Sequence, residues 1–156
     1  MMKRILSAFL ALLFSFSLFS TVNAANVCGN IYGNANSAKS FTINTGKRWL
    51  GSDKVTFTQT KGTYEYSTPF SRSKTASGYM GYKVKYRKQG TSSWKTATWK
   101  GKTLTLKLSK NTVYDVTVTP FNKAEMAFEM GGKNIKRWKS VATWSVTSTK
   151  GIISCG

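Results

Sequence analysis

Histidine is absent from this chain, and acids, cysteine and proline are scarce: five carboxylates, two cysteines and two prolines in 156 residues. Without histidine no Ser-His-Asp or Cys-His relay can form, and a zinc site loses its commonest nitrogen ligand. The carboxylates are Asp53, Glu65, Asp115, Glu125 and Glu129. Glu125 and Glu129 have a spacing that shares a helix face, but on so short a segment beside lysines they read as a solvated pair, not an acid–base couple. No glycine-rich segment ends in the Lys-Ser or Lys-Thr of a phosphate loop. These gaps leave no catalytic residue, metal ligand or cofactor to name, and a non-enzymatic role is expected.

What is present begins with an export signal. Lys3 and Arg4 supply a positive start, Ile5 to Phe19 is apolar apart from serines, and Val22-Asn23-Ala24 offers the residues a signal peptidase reads. The apolar run of 15 residues falls short of the ~20 needed to span a bilayer. Residues 1–24 are therefore expected to be a removable signal, 25–52 an N-terminal extension, and 53–156 a single domain. The expected location is extracellular, or periplasmic in a Gram-negative source. In such an oxidising compartment a lone cysteine pair, Cys28 and Cys155, reads as one disulfide stapling the termini. Closing so long a loop stabilises by about 4 kcal/mol in the chain-entropy view.

Charge is the second strong signal. Once Lys3 and Arg4 leave with the signal, 22 basic residues face five acids, a formal +17. Such an excess suits acidic partners: anionic polysaccharide, teichoic acid, an acidic protein or an anionic membrane surface. It equally suits a soluble monomer kept apart by like charge. Export argues against nucleic acid, and no aromatic base-stacking module appears.

The period of the mature chain is two. Val55 and Phe57 alternate with threonines, Lys61-Gly62 turns the chain, and Tyr64 and Tyr66 follow. Tyr82, Val84 and Tyr86 fall on one strand face, and Lys83, Lys85 and Arg87 on the other. A Gln89–Ser93 turn leads to a short strand between Trp94 and Trp99, then Leu104, Leu106 and Leu108 alternate, then Tyr114, Val116 and Val118. A last strand is expected over 141–147. Short strands with few helix signals favour an all-β, antiparallel β-sandwich of about seven strands.

From Gly81 to Thr149 the chain resembles a fibronectin type III domain, an immunoglobulin-like sandwich. The segment GYKVKYRKQGTSSW is similar to that family's third strand and following tryptophan, and LTLKLSKNTVYDVTVTPFN to its leucine strand, turn and Tyr-x-Val-x-Val strand. The resemblance implies that Tyr114 makes a tyrosine corner, its hydroxyl bonding to backbone upstream. It also implies a buried tryptophan on the second strand, for which Tyr66 is the available stand-in. The cysteine pair is not part of the family pattern.

Two surfaces are candidates for binding. On the strand ladder, Lys83, Lys85 and Arg87 repeat every about 6.6 to 6.8 Å, with Trp94, Lys95, Trp99, Lys100 and Lys102 expected near one end of the same sheet. This is either a seat for a linear polyanion or a solvated face that discourages edge pairing. The other surface is the excursion 121–139, where Asn122 and Glu125 have capping-box spacing ahead of a short helical run ended by Gly131-Gly132. There Met126, Phe128, Met130 and Trp138, with Lys136 and Arg137, either insert into a membrane or fold onto the end of the core. The first surface suits a secreted binding module and the second a cationic membrane-active or antibacterial effector. Where Met126, Phe128, Met130 and Trp138 point discriminates between the two: buried, they remove the membrane agent; as an exposed patch, they make the polyanion reading incomplete.

Overall fold

The computed structural model describes residues 37–46, 51–122, 124–126 and 130–155. The expected signal peptide, Cys28 and Phe128 lie outside the described residues. Eleven strands follow in order: β1 (Lys39–Asn44), β2 (Ser52–Gln59), β3 (Gly62–Thr68), β4 (Ser71–Gly78), β5 (Tyr82–Lys88), β6 (Lys95–Trp99), β7 (Thr103–Ser109), β8 (Val113–Pro120), β9 (Asn134–Ser140), β10 (Trp144–Ser148) and β11 (Ile152–Cys155). All pair antiparallel, in three sheets ordered β11-β1-β8-β5-β6, β10-β2-β7 and β4-β3-β9.

The first two sheets form the sandwich. Alternation places Phe41 and Ile43, Tyr82 and Val84, Trp99, and Tyr114, Val116 and Val118 inward from the five-stranded sheet. They meet Val55, Phe57, Leu106, Leu108, Trp144 and Val146 of the three-stranded one. An aromatic chain runs through this core: Phe57 packs edge-on against Trp99 at 5.7 Å, and Trp99 against Trp144 at 6.3 Å. Such contacts add about 0.5–1.5 kcal/mol each beyond the area they bury.

Four expectations change here. The described residues form eleven strands, not about seven, because β1, β4, β9 and β11 carry weak or irregular alternation. Within the expected extension 25–52, residues 39–44 are β1, an interior strand paired on both sides, with Ile43 fully buried. Tyr66 does not stand in for a core tryptophan. It is half-buried over the separate β4-β3-β9 sheet, and the main core is filled by Trp99 and Trp144 instead. The expected strand over 141–147 starts later, as β10, and packs beside β2.

Two local devices hold the sandwich ends. The buried Asp53 carboxylate accepts hydrogen bonds from the Ser148 hydroxyl, the Thr149 hydroxyl at 2.7 Å and the Lys150 amide at 3.2 Å. This pins the β10–β11 turn to β2. At the other end Gly81 leaves room for Phe121, since a Cβ at Gly81 would lie 2.2 Å from the ring. The Tyr114 hydroxyl accepts the Ser109 amide at 3.0 Å, a bond to backbone five residues upstream. Cys155 ends β11 and is disulfide-bonded; its expected partner, Cys28, is outside the described residues.

Candidate functional site

The β5–β6 hairpin builds the site. Gly90, at φ +83°, gives the turn the left-handed residue it needs. The Thr91 amide and hydroxyl both donate to the Lys88 carbonyl, at 3.1 and 2.7 Å, and close the turn. The Gln89 amide donates to the Val113 carbonyl at 2.8 Å, so the hairpin is fixed to β8.

On the outer face of the five-stranded sheet the register sets β5 cations among hydroxyls. Lys83 lies between Thr98 and Thr119, Lys85 between Thr96 and Thr117, and Arg87 beside Asp115, with Thr42 and Ser154 continuing that row. The three rungs are not equivalent. Lys83 is bound by Glu125, and Arg87 Nε donates to Asp115 Oδ2 at 3.1 Å. Lys85 is exposed and has no carboxylate partner among the described residues. Two thirds of the expected ladder is thus neutralised in place by acids brought from β8 and from the 121–139 excursion.

Arg87 has a second contact. Its guanidinium sits 4.5 Å from the centroid of Trp94, a residue 41% exposed. The stack walls a shallow groove of about 480 Å³ that also touches Ser40, Thr42, Asp115, Thr117 and Ser154. Beside it, with Arg87 common to both linings, lies a pocket of about 330 Å³. Its floor is Leu108, Tyr86 and Tyr114, the two tyrosine rings 6.4 Å apart. Its rim is Lys88, Lys95, Lys107, Thr91, Ser93 and Ser109, and no carboxylate lines it.

Several predicted residues therefore sit elsewhere than expected. Lys95 pairs with Tyr86 and shares its side of the sheet, so it faces the pocket and not the ladder. Trp99 is buried in the core at 1% exposure. Lys100 and Lys102 flank Gly101 at the far end of β6, where Trp99 pairs with Tyr82, away from Trp94. Lys88 and Lys107 went unmarked in the sequence. Lys88 continues the Tyr82-Val84-Tyr86 face, and only the end of the apolar run signals that this face has reached the rim.

The 121–139 excursion behaves as a core cover. Its capping box is made in full: the Glu125 amide donates to Asn122 Oδ1 and the Asn122 amide to Glu125 Oε2, both at 2.9 Å. Lys83 first, and the Asn122 backbone amide second, hold the Glu125 carboxyl below its ordinary value. Met126 is buried and its sulfur accepts the Gly81 amide at 3.4 Å. Trp138 packs edge-on to Tyr64 at 5.4 Å, and Met130 is half-buried on the same cluster. Lys136 donates to Ser73 at 2.7 Å and Arg137 to Glu65 at 2.8 Å, on the outer side of the small sheet. The described apolar residues of this segment, Met126, Met130 and Trp138, pack against the protein.

Compared with protein families, curated proteins and solved structures, the chain matches none of them.

Proposed function

We infer that the protein is an exported, non-enzymatic binding module with a fibronectin type III-like sandwich, stapled by Cys28 and Cys155, that engages an anionic polymer at the β5–β6 hairpin. The observation that carries this reading is the local charge imbalance. Among the described residues, Lys88, Lys95 and Lys107 converge on one pocket without an acid in its lining, and Lys85 has no carboxylate partner on the adjoining face. Lysine is a compact point charge that attracts phosphate and carboxylate alike, without the bidentate geometry an arginine fork imposes on either. The hydroxyls of Thr91, Ser93 and Ser109 and the Tyr86 ring add the polar and apolar contacts a polyol or sugar repeat presents. A teichoic acid, with phosphate alternating with polyol, and an anionic polysaccharide combine both chemistries; an acidic protein satisfies only the charge.

Binding of the chain from Ala25 onward to teichoic acid tests the reading. Lys88→Gln/Lys95→Gln/Lys107→Gln is expected to weaken it at least tenfold, the scale of losing about 1.4 kcal/mol. Unchanged affinity would remove the pocket from the account.

A further inference from the structure

The β3–β4 hairpin carries a feature that the polymer site does not use. Its turn is Pro69-Phe70, and Phe70 is 98% exposed, a nearly bare ring. The tip is nonetheless held: Thr68 pairs with Ser71, and their hydroxyls bond at 2.7 Å. Below the tip the β4-β3-β9 sheet is basic. Arg72, Lys74, Lys136, Arg137 and Lys139 lie on its strands against one carboxylate, Glu65, which Arg137 already engages. Lys133, just before β9, stacks over Tyr66 at 4.9 Å, and Tyr66 pairs with Lys74. One inserted-length aromatic is thus collared by cations one or two rungs back.

We propose that this hairpin docks the protein on an anionic lipid bilayer, Phe70 entering the interface and Arg72, Lys74 and Lys133 meeting the head groups. The chemistry favours lipid over a protein partner. A stable protein interface needs about 800 Å² per side with a buried apolar centre. The other large exposed apolar residues among those described, Trp94 in the β5–β6 turn and Ile152 on β11, belong to other parts of the fold, so Phe70 stands alone on its own sheet. A bilayer needs no complementary shape and accepts a single aromatic at head-group depth, while basic neighbours supply the second attraction that one small apolar group lacks. The association is therefore weak, reversible and salt-sensitive. It is separate from the polymer site and does not rest on it.

Vesicle co-sedimentation tests it, with the chain from Ala25 onward, which holds every described strand. Vesicles of phosphatidylcholine alone are compared with an equal mixture of phosphatidylcholine and phosphatidylglycerol. Binding to the mixture only is expected, with Phe70→Ser lowering the partition coefficient about tenfold and Arg72→Gln/Lys74→Gln lowering it and its salt dependence. Phe70 touches no core, so the Phe70→Ser variant should melt as the parent does. Lys95→Gln should bind vesicles normally, which keeps this result independent of the polymer site. No binding to the mixed vesicles at low salt would overturn the proposal, as would a Phe70→Ser variant that binds them like the parent. Phe70-dependent capture of polyglutamate in the absence of lipid would overturn it in favour of an acidic protein.

Discussion

Arg87 lines two recesses and stacks on Trp94, which lines one of them. The guanidinium lies 4.5 Å from the indole centroid, while its Nε is tied to Asp115 at 3.1 Å. The groove takes both members of the stack into its lining, and the lysine-rimmed pocket takes Arg87. The arginine that the sequence offers as a ligand-binding rung is thus better described as a bracket that orients the one exposed tryptophan of the hairpin.

That arrangement predicts different outcomes for two substitutions. Trp94→Ala should weaken polymer binding by about 1–2 kcal/mol, the cost of losing an exposed aromatic contact on the groove beside the lysine pocket. Asp115→Asn frees Arg87 from its carboxylate partner and should leave affinity equal or higher. Titration calorimetry against teichoic acid distinguishes them, and the Trp94 emission should change on binding in the Asp115→Asn variant.

The pinned turn at Asp53 makes a stability prediction. Asp53→Ala removes the acceptor for two hydroxyls and an amide at a fully buried position. The Ser148 hydroxyl is the buried donor among them, and leaving one unpaired costs about 1–3 kcal/mol, so the urea midpoint should drop with little change in slope. Gly151→Ala should be damaging as well, because its Cβ would sit 2.3 Å from the Asn44 carbonyl oxygen and 2.6 Å from Asp53 Oδ2.

Gly81 offers a sharper version of the same test. A methyl group there meets three atoms of the Phe121 ring within 3 Å. Gly81→Ala should destabilise by about 1–3 kcal/mol through overpacking. Combining it with Phe121→Leu, which shortens the obstructing group, should recover part of the loss. Strict additivity of the two changes would contradict the clash.

Much of this fold is written in plain alternation. Tyr82-Val84-Tyr86, Leu104-Leu106-Leu108 and Tyr114-Val116-Val118 each form a strand with the face expected of it. The Asn122–Glu125 box is legible because both of its partners are local. Long-range partners are not. Nothing near Lys83 announces that Glu125, 42 residues on, will neutralise it, and nothing near Lys95 says that its side of the sheet is decided by the pairing with Tyr86. β1 was hidden because a four-residue alternation in a Ser- and Asn-rich stretch is weak until β8 and β11 flank it. Phe70 carried no pattern at all: an isolated aromatic after proline reads as packing until its exposure is known.

The two bridged glutamates set the acid behaviour. Arg137 and then Ser73 hold Glu65 below the ordinary 4.5, and Lys83 does the same for Glu125. A depressed native value means that the fold favours the ionised form. The stabilisation is present above 4.5 and fades as pH falls through the native values. Both groups are near the surface, so the contribution is small. Thermal midpoints should fall between about pH 5 and about pH 3, less steeply in Glu65→Gln/Glu125→Gln; equal slopes in parent and variant would contradict the assignment.

The central claim is tested most directly by measuring teichoic acid binding across a salt series, in the parent and in Lys88→Gln/Lys95→Gln/Lys107→Gln. Binding at low salt that weakens steadily as the Debye length shrinks toward about 3 Å at 1 M, and a flatter salt dependence in the variant, are predicted. Absence of binding at low salt, or a variant with the affinity and salt slope of the parent, would contradict the claim.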